Sequence, residues 1–537
     1  MAKGFRPVDR DQPFLLPPDM REWLPAGHRV WFVIDAVAVL DVSRFAVRQT
    51  PRGSLAGRAA YDPRMLLALL VYGYAAGVRS SRRIERACTE DVAFRVICAQ
   101  DVPDHATIAR FRREHFADAG AMGDLFAQVL VLAARAGLGR LGLIAVDGTK
   151  IAAAASKDAN RSERRLRELA AEIVAEAEAV DAAEDELYGD ARGDELPPEL
   201  ADPVTRAERI RRALAELEAE RMAAEAERNA QARACLEAVA AGQPVTRPPA
   251  VVAVTAARAR LEQAQAAQRA KAAAWQAQRA AEEAAGIKRG PGGRKPFAPE
   301  AHAGVAKARA ALERALAKAA ERERAAAAKK GPGPVRNTTD PDSRLMPVRG
   351  GGFLQGYNAQ AMQSADGLCL GTGLTKDTTD YASFEPMLGK AQAAQDLLRA
   401  HARGPLHRLR AKIGTALADA GYCSEHNLTT GGPDRLIATG TRRGLERSAR
   451  QARAGPPAHG GEAAAAMAAR LATPQGIAAY RQRGPIAEGP FGNTKHNLGF
   501  RRFSLRGLNH ASGEWAFHNT VANLLKIHAT GWAPAQA

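Results

Sequence analysis

Glu488 is an acid in a strongly cationic segment, Y-R-Q-R-G-P-I-A-E-G-P-F-G-N-T-K-H-N-L-G-F-R-R-F from Tyr480 to Phe503. A helix beginning near Ile486 would keep Pro490 in its first turn, where backbone N–H groups lack an intrahelical partner and proline is tolerated. Glu488 would open that helix, with Phe491 and Lys495 following at +3 and +7 on the same face. Arg483 precedes the carboxylate, and Arg501, Arg502 and Arg506 follow the helix. Two readings fit: a reactive carboxylate ringed by cations, or a solvated cationic helix whose acid balances its neighbours. The other acids decide between them.

Two of those acids close apolar runs of strand length. Leu141-Gly-Leu-Ile-Ala-Val leads into Asp147-Gly, and Thr415-Ala-Leu-Ala leads into Asp419-Ala-Gly-Tyr. A strand ending on an aspartate presents its carboxylate at a sheet edge, although Asp147-Gly148 also suits a hairpin turn. If the strands are neighbours, Asp147, Asp419 and Glu488 converge, and three converging carboxylates repel unless cations lie between them. Mg²⁺ meets that need, since it takes a few carboxylates and phosphate oxygens while keeping waters. Two ions about 4 Å apart would activate a water or a 3′-hydroxyl and stabilise the leaving oxygen of an in-line phosphoryl displacement.

The elements around these acids follow from pattern. Phe353 to Met362 and Leu368 to Thr375 read as adjoining strands joined at Ser364-Ala-Asp-Gly, and the strand ending at Asp147 is expected to pair with the one around Gly356-Tyr-Asn. Asp377 and Asp380 lead into a helix over 381–403, Leu436-Ile-Ala-Thr is a short strand, and Trp515 to Ile527 is a final amphipathic helix. Upstream, Asp62-Pro63 caps a mostly apolar helix, Ser80 opens a second over 82–98, and Pro103-Asp104 opens a third. That third helix carries Arg110, Arg112 and Arg113 behind a short turn, as a helix-turn-helix reader of DNA would; three amphipathic helices with basic outer faces would look the same. His105 and His115 suit surface or capping roles better than ligation.

A net charge of +17 favours a polyanionic partner, nucleic acid first and an anionic membrane surface second. The five cysteines are scattered, with no C-x-x-C pair, so neither a zinc site nor a disulfide framework is indicated and a reducing cytoplasm fits. No run of about 18 apolar residues occurs, and the N-terminus has no apolar signal core, so the chain is expected to be soluble, not exported and without a membrane partner. Residues 157–335 change character. Leu166, Leu169, Ile173 and Val180, then Ile210, Leu214 and Leu217, make a broken apolar seam amid Ala, Glu, Arg and Gln, interrupted at Gly242-Gln-Pro, Gly290-Pro-Gly-Gly and Gly331-Pro-Gly-Pro. This reads as an insertion of long helices, hairpin or coiled coil, joined by basic linkers and serving assembly or DNA contact.

Taken in order, the motifs Y-D-P at Tyr61 through Phe111-Arg, A-V-D-G-T-K around Asp147, D-P-D-S-R-L-M and G-Y-N-A-Q within 340–360, A-D-A-G-Y around Asp419, and G-P-I-A-E through H-N-L-G-F-R-R-F make the chain resemble the DDE transposases of bacterial insertion sequences, most closely the eleven-eighty-two group. The resemblance implies an α/β fold: an RNase H-like mixed sheet flanked by helices, with an N-terminal all-α DNA-binding domain (1–135), core in two parts (136–156 and 336–530) and the helical insertion (157–335) between them. It implies an enzyme that binds element ends on double-stranded DNA as a homo-oligomer, nicks them and joins 3′-hydroxyls to target DNA. Asp147, Asp419 and Glu488 would be catalytic and hold two Mg²⁺, with Mn²⁺ able to substitute. Tyr480, Arg483, Glu488 and Lys495 resemble a Y-R-E-K signature whose basic members contact phosphates, joined here by Arg501 and Arg502. Four residues separate Arg483 from Glu488, one more than that signature has. The competing reading is a non-catalytic regulatory DNA-binding derivative; intact acids at all three positions argue against it. A mainly structural coiled-coil protein would explain only 157–335.

Overall fold

The computed structural model describes residues 19–45, 60–172, 202–243, 245, 248–286, 295–328, 334–348, 351–440 and 461–534. The chain divides into two compact units, one formed by 1–160 with 336–537 and the other by 161–335. The boundary expected at 135/136 does not separate compact units, because the N-terminal helices and the sheet share one hydrophobic core.

The first unit is built on a six-stranded sheet. Its strands are β1 (Leu143–Ala152), β2 (Arg344–Pro347), β3 (Phe353–Ser364), β4 (Cys369–Thr375), β5 (Thr415–Ala418) and β6 (Asp434–Ile437). The path runs β2-β3-β1-β5-β6, with β4 also on β3. Strands β1, β3 and β4 are antiparallel neighbours, while β5 and β6 run parallel to β1. The hairpin at Ser364-Ala-Asp-Gly is present, with Gly367 at φ +77°, a left-handed conformation that suits glycine. The expected pairing of the Asp147 strand with the Gly356-Tyr-Asn strand is also present, from Ile144 opposite Ser364 to Ala152 opposite Gly356.

β1 does not end at Asp147 but continues to Ala152, because the twelve-residue β3 offers ladder partners along its whole length. It is the parallel pairing with β5 that stops, at Ala145 opposite Leu417. Two residues further along that register, Asp147 comes level with Asp419, which directly follows β5.

The N-terminal helices form by the expected local chemistry. Asp62 accepts from the Arg64 N–H and Pro63 starts the helix Pro63–Ala75; Asp104 likewise caps His105–Phe116. The helix expected over 82–98 is broken into Ser81–Glu90 and Val92–Ile97 by Asp91, whose carboxylate takes up the Ala93 N–H and restarts the chain. These helices pack on the long C-terminal helix Leu508–Ala529 through Tyr74, Phe116 and Phe517, all fully buried. Burial of each such side chain contributes about 1.5–3 kcal/mol. Within this core Glu514 is fully buried and accepts from the Tyr74 hydroxyl (2.9 Å) and the Ser504 N–H (2.9 Å), which joins the helical and sheet-side segments.

In the second unit the long helices are Asp202–Ala240, Ala253–Ala284 and Ala303–Ala328. Leu166 and Leu169 pack on Ile210, Ala213 and Leu217, and Ala232, Cys235 and Val239 pack on Val252 and Ala256. Among the described residues no strand of the six-stranded sheet falls in this unit, so the sheet is interrupted in sequence and continuous in space. The ends meet within the first unit, where the Thr338 N–H donates to the Ala159 carbonyl (3.0 Å). Ile173, Val180 and the linkers at Gly290 and Gly331 lie outside the described residues. No single described helix is long and apolar enough to cross a membrane.

Candidate active site

The period-2 geometry of strands puts Ala145 and Asp147 on one face of β1, and Leu417 and Asp419 on the same side of β5. Ala145 and Leu417 are fully buried against Ile486 and Ala487, which immediately precede Glu488. This small apolar contact docks the carboxylate-bearing helix over β1 and β5 where their parallel pairing stops.

That helix does not begin near Ile486, as its prolines suggested. Helical structure starts at Pro474 (Pro474–Arg481) and continues through π-helical Gly484–Glu488, α-helical Gly489–Gly492 and π-helical Asn493–Asn497. Pro485 and Pro490 each lack an N–H and leave a carbonyl one turn back unmatched, and the wider i→i+5 turn accommodates these gaps. Glu488 is therefore inside a helical run. The π turn also brings residues five apart into line, so Arg483 reaches Glu488 with a 2.8 Å ion pair despite the additional residue between them. The same guanidinium lies 3.3 Å from Asp147 Oδ2, giving an Asp147–Arg483–Glu488 bridge.

Asp147 is half-buried, and its Oδ1 accepts from the Gly148 N–H at 2.8 Å. Burial first, and then the charge of Asp419, push its carboxyl up to about 6, against the opposing pull of Arg483. Asp419 turns its Oδ1 to the Gly421 N–H (2.9 Å) and so opens the turn Ala420–Tyr422. Tyr480 packs on the apolar contact beneath Glu488, and burial raises its phenol above the ordinary range. Among the described residues no group of three or more His, Cys, Asp or Glu side chains is placed to hold a metal ion. The three acids are grouped around a guanidinium rather than set in a ready cage.

The remaining basic residues divide by exposure. Arg501, Arg502, Arg110 and Arg113 are exposed. Arg112 is not: it is 6% exposed, and its guanidinium donates to the Arg79 carbonyl at 2.5 Å, so the three helix arginines do not share an outer face. Helical spacing explains this, since 112 falls with the buried Ile108, His115 and Phe116. Lys495 also points inward, donating to Thr149 Oγ1 (2.5 Å) and the Lys150 carbonyl (3.2 Å), which ties the helix to β1. Arg79 carries the N-terminal helices to this region through the Gly499 (2.7 Å) and Arg502 (3.0 Å) carbonyls and the ring of Phe500.

Four polar residues with no role assigned from sequence crowd the other face of β1: Lys150, Gln360, Asp380 and Tyr422. Gln360 and Tyr422 sit in the G-Y-N-A-Q and A-D-A-G-Y motifs, and Asp380 closes the T-K-D-T-T-D run. Their chemistry became visible only when the strand register placed them together.

Two segments of the chain match family models. Residues 18–114 match a transposase domain (DUF772), and residues 446–528, which include Tyr480, Arg483, Glu488 and Lys495, match a transposase DDE domain. Neither a curated protein nor a solved structure matches the chain. The helical region that leads into the site and the segment that carries Glu488 thus each match a transposase domain, and together they support an insertion-sequence transposase.

Proposed function

We propose that the protein binds the ends of an insertion sequence and catalyses metal-dependent DNA strand cleavage and strand transfer. Within this reading the chain is closest to the eleven-eighty-two group and the sheet is an RNase H-like core. The sheet order supports that assignment: an antiparallel β1-β3-β4 set continued by parallel β5 and β6, with acids at the end of β5 and level with it on β1. The observation that carries the proposal is the Arg483 bridge from Asp147 to Glu488. It joins an acid of the sheet to an acid of the segment matching the DDE model.

The donor set fits a hard divalent cation such as Mg²⁺ or Mn²⁺. All three candidates are carboxylates, and the Asp147 carboxyl, raised by burial first and then by the charge of Asp419, is one that a cation would favour in its ionised form. Asp147, Asp419 and Glu488 would hold the ions, which when bound supply Lewis-acid activation of the attacking oxygen and charge stabilisation at the leaving one. The chain's own residues do the rest. Arg483 lies between the acids, where it offsets the repulsion of Asp147 and Glu488 and presents a positive group to a scissile phosphate. Exposed Arg501 and Arg502, with Arg110 and Arg113, offer phosphate contacts that set register on the duplex. Lys495 acts on DNA indirectly, by holding β1 at Thr149 and Lys150.

The test is incubation of the full chain with labelled DNA carrying the encoding element's ends, with Mg²⁺ or with chelator. Mg²⁺-dependent nicks that leave 3′-hydroxyls support the reading. Tight end binding with no cleavage in either Mg²⁺ or Mn²⁺ would replace it with a regulatory DNA-binding protein.

A further inference from the structure

We propose that Gln360, Asp380 and Tyr422 are positioning residues that fix Asp147 relative to Asp419, an inference that rests on the cleavage reading above. Gly148 and Lys150 stand directly opposite Gln360 and Asn358 in the β1–β3 ladder, and opposed residues project to the same face. On that face the Gln360 Nε2 donates to Asp380 Oδ1 at 2.8 Å and Asn358 Nδ2 donates to the same oxygen at 2.6 Å. Lys150 Nζ lies 3.6 Å from that oxygen and is itself buried without a hydrogen bond, so its charge is directed at Asp380.

Gln360 is the hub. Its amide N–H₂ serves Asp380 while its Oε1 accepts from the Tyr422 hydroxyl. Tyr422 ends the turn that Asp419 opens. A continuous path therefore runs from the β1 backbone beside Asp147, through Gln360 and Tyr422, to the turn holding Asp419. Gln360 and Tyr422 are 1% and 0% exposed, so water does not compete along it. Burial, and then the charge of Asp380, hold the Tyr422 phenol well above its ordinary range, so it remains a neutral donor.

The two glycines beside the acids fit the same device. A Cβ on Gly148 would overlap the Gln360 amide and come within 2.9 Å of Asp380 Oδ1. On Gly421 it would lie 3.0 Å from Asp419 Oδ1 and 3.3 Å from Asp380 Oδ2. The Asp380 carboxylate thus lies between the backbone following Asp147 and the turn following Asp419: a Cβ at Gly148 would force the Gln360 amide and Asp380 to shift, and one at Gly421 would crowd both carboxylates.

The experiment compares wild type, Tyr422→Phe, Asp380→Asn and the double variant as full chains on element-end DNA, reading gel-shift affinity, single-turnover cleavage at saturating DNA, and the Mn²⁺ midpoint in a thermal-shift titration. Each single variant is expected to cleave about 10–100-fold more slowly, with DNA affinity within about twofold of wild type and a Mn²⁺ midpoint raised about tenfold, as for residues that orient ligating groups. The double variant should cleave no more than about threefold below the poorer single one, because Asp380 and Tyr422 act through the same Gln360 amide. Wild-type rates and Mn²⁺ midpoints in both single variants overturn the inference, as do rate losses that multiply in the double variant or that track an equal loss of DNA affinity. Should Asp380→Asn fail to fold, Tyr422→Phe decides alone, since it keeps the ring and removes one oxygen. A wild-type chain that cleaves nothing overturns the cleavage reading instead; the Mn²⁺ midpoints then still decide whether the path positions the acids.

Discussion

Arg483 and Glu488 stand five positions apart and form a 2.8 Å ion pair across one π-helical turn. In an α-helix, residues four apart face each other and a fifth residue is rotated about 100° away. The π turn absorbs the additional residue, so the spacing that departs from the Y-R-E-K pattern in sequence is restored in space. Deleting Gly484 should let the segment run as a regular α-helix with the pair intact, leaving cleavage within about tenfold of wild type. Inserting one alanine after Gly484 adds a rotation of about 100° that the turn cannot absorb, and should abolish cleavage. Cleavage assays on both length variants, with circular dichroism to confirm folding, decide this; equal loss in both would show that the π turn itself, not the pairing, is required.

The arginines of the helix His105–Phe116 should separate cleanly. Arg112→Ala removes a buried guanidinium and its hydrogen bond to the half-buried Arg79 carbonyl, and is expected to cost about 1–3 kcal/mol of stability, seen as a lower Tm. Arg110→Ala, at an exposed position, should leave Tm unchanged and weaken DNA binding. An Arg112→Ala protein with wild-type Tm and impaired DNA binding would return that side chain to the DNA surface.

Much of this layout was legible in the sequence, for identifiable physical reasons. Apolar runs, Asp caps and N1 prolines act locally, so β3, β4, the helix Pro63–Ala75 and the final helix followed from short windows. The excursion at 161–335 was readable because composition itself changes there. What failed depended on partners distant in sequence. β1 runs past Asp147 because β3 pairs with it to Ala152, and no local signal at Asp147-Gly148 reports that partner. Glu488 sits inside a helix rather than at its start because π turns accommodate Pro485 and Pro490, where the α-helical rule predicted a break. Arg112 and Lys495 turn inward for contacts with Arg79 and with Thr149, which only the packed chain reveals. Asp380 carries no local signal of its place beside the acids, because the strand register together with Gln360 and Tyr422 sets it there.

Stability should fall on acidification through one buried imidazole. His518 is 1% exposed, its Nε2 pairs with Thr494 Oγ1 (3.1 Å), and burial, then the charge of Arg79, lower it from its ordinary 6.5 to about 3. Below pH 6.5 the unfolded chain binds a proton that the folded chain refuses, so unfolding becomes easier as pH falls from about 7 toward 3. The slope from this one group is at most about 1.4 kcal/mol per pH unit. Urea melts across pH 4–7 should show this loss, and His518→Phe should flatten that component of the profile. An unchanged profile in the variant would mean that another group carries the dependence.

The most direct test of the central claim is single-turnover cleavage of labelled element-end DNA in Mg²⁺ by Asp147→Asn, Asp419→Asn and Glu488→Gln, alongside gel shifts on the same DNA. Each substitution removes a charged oxygen donor while keeping side-chain volume, so cleavage should fall by about 10³-fold or more with end binding retained. Cleavage at the wild-type rate by any one of the three would remove that residue from the catalytic set, and would contradict an active centre built on Asp147, Asp419 and Glu488.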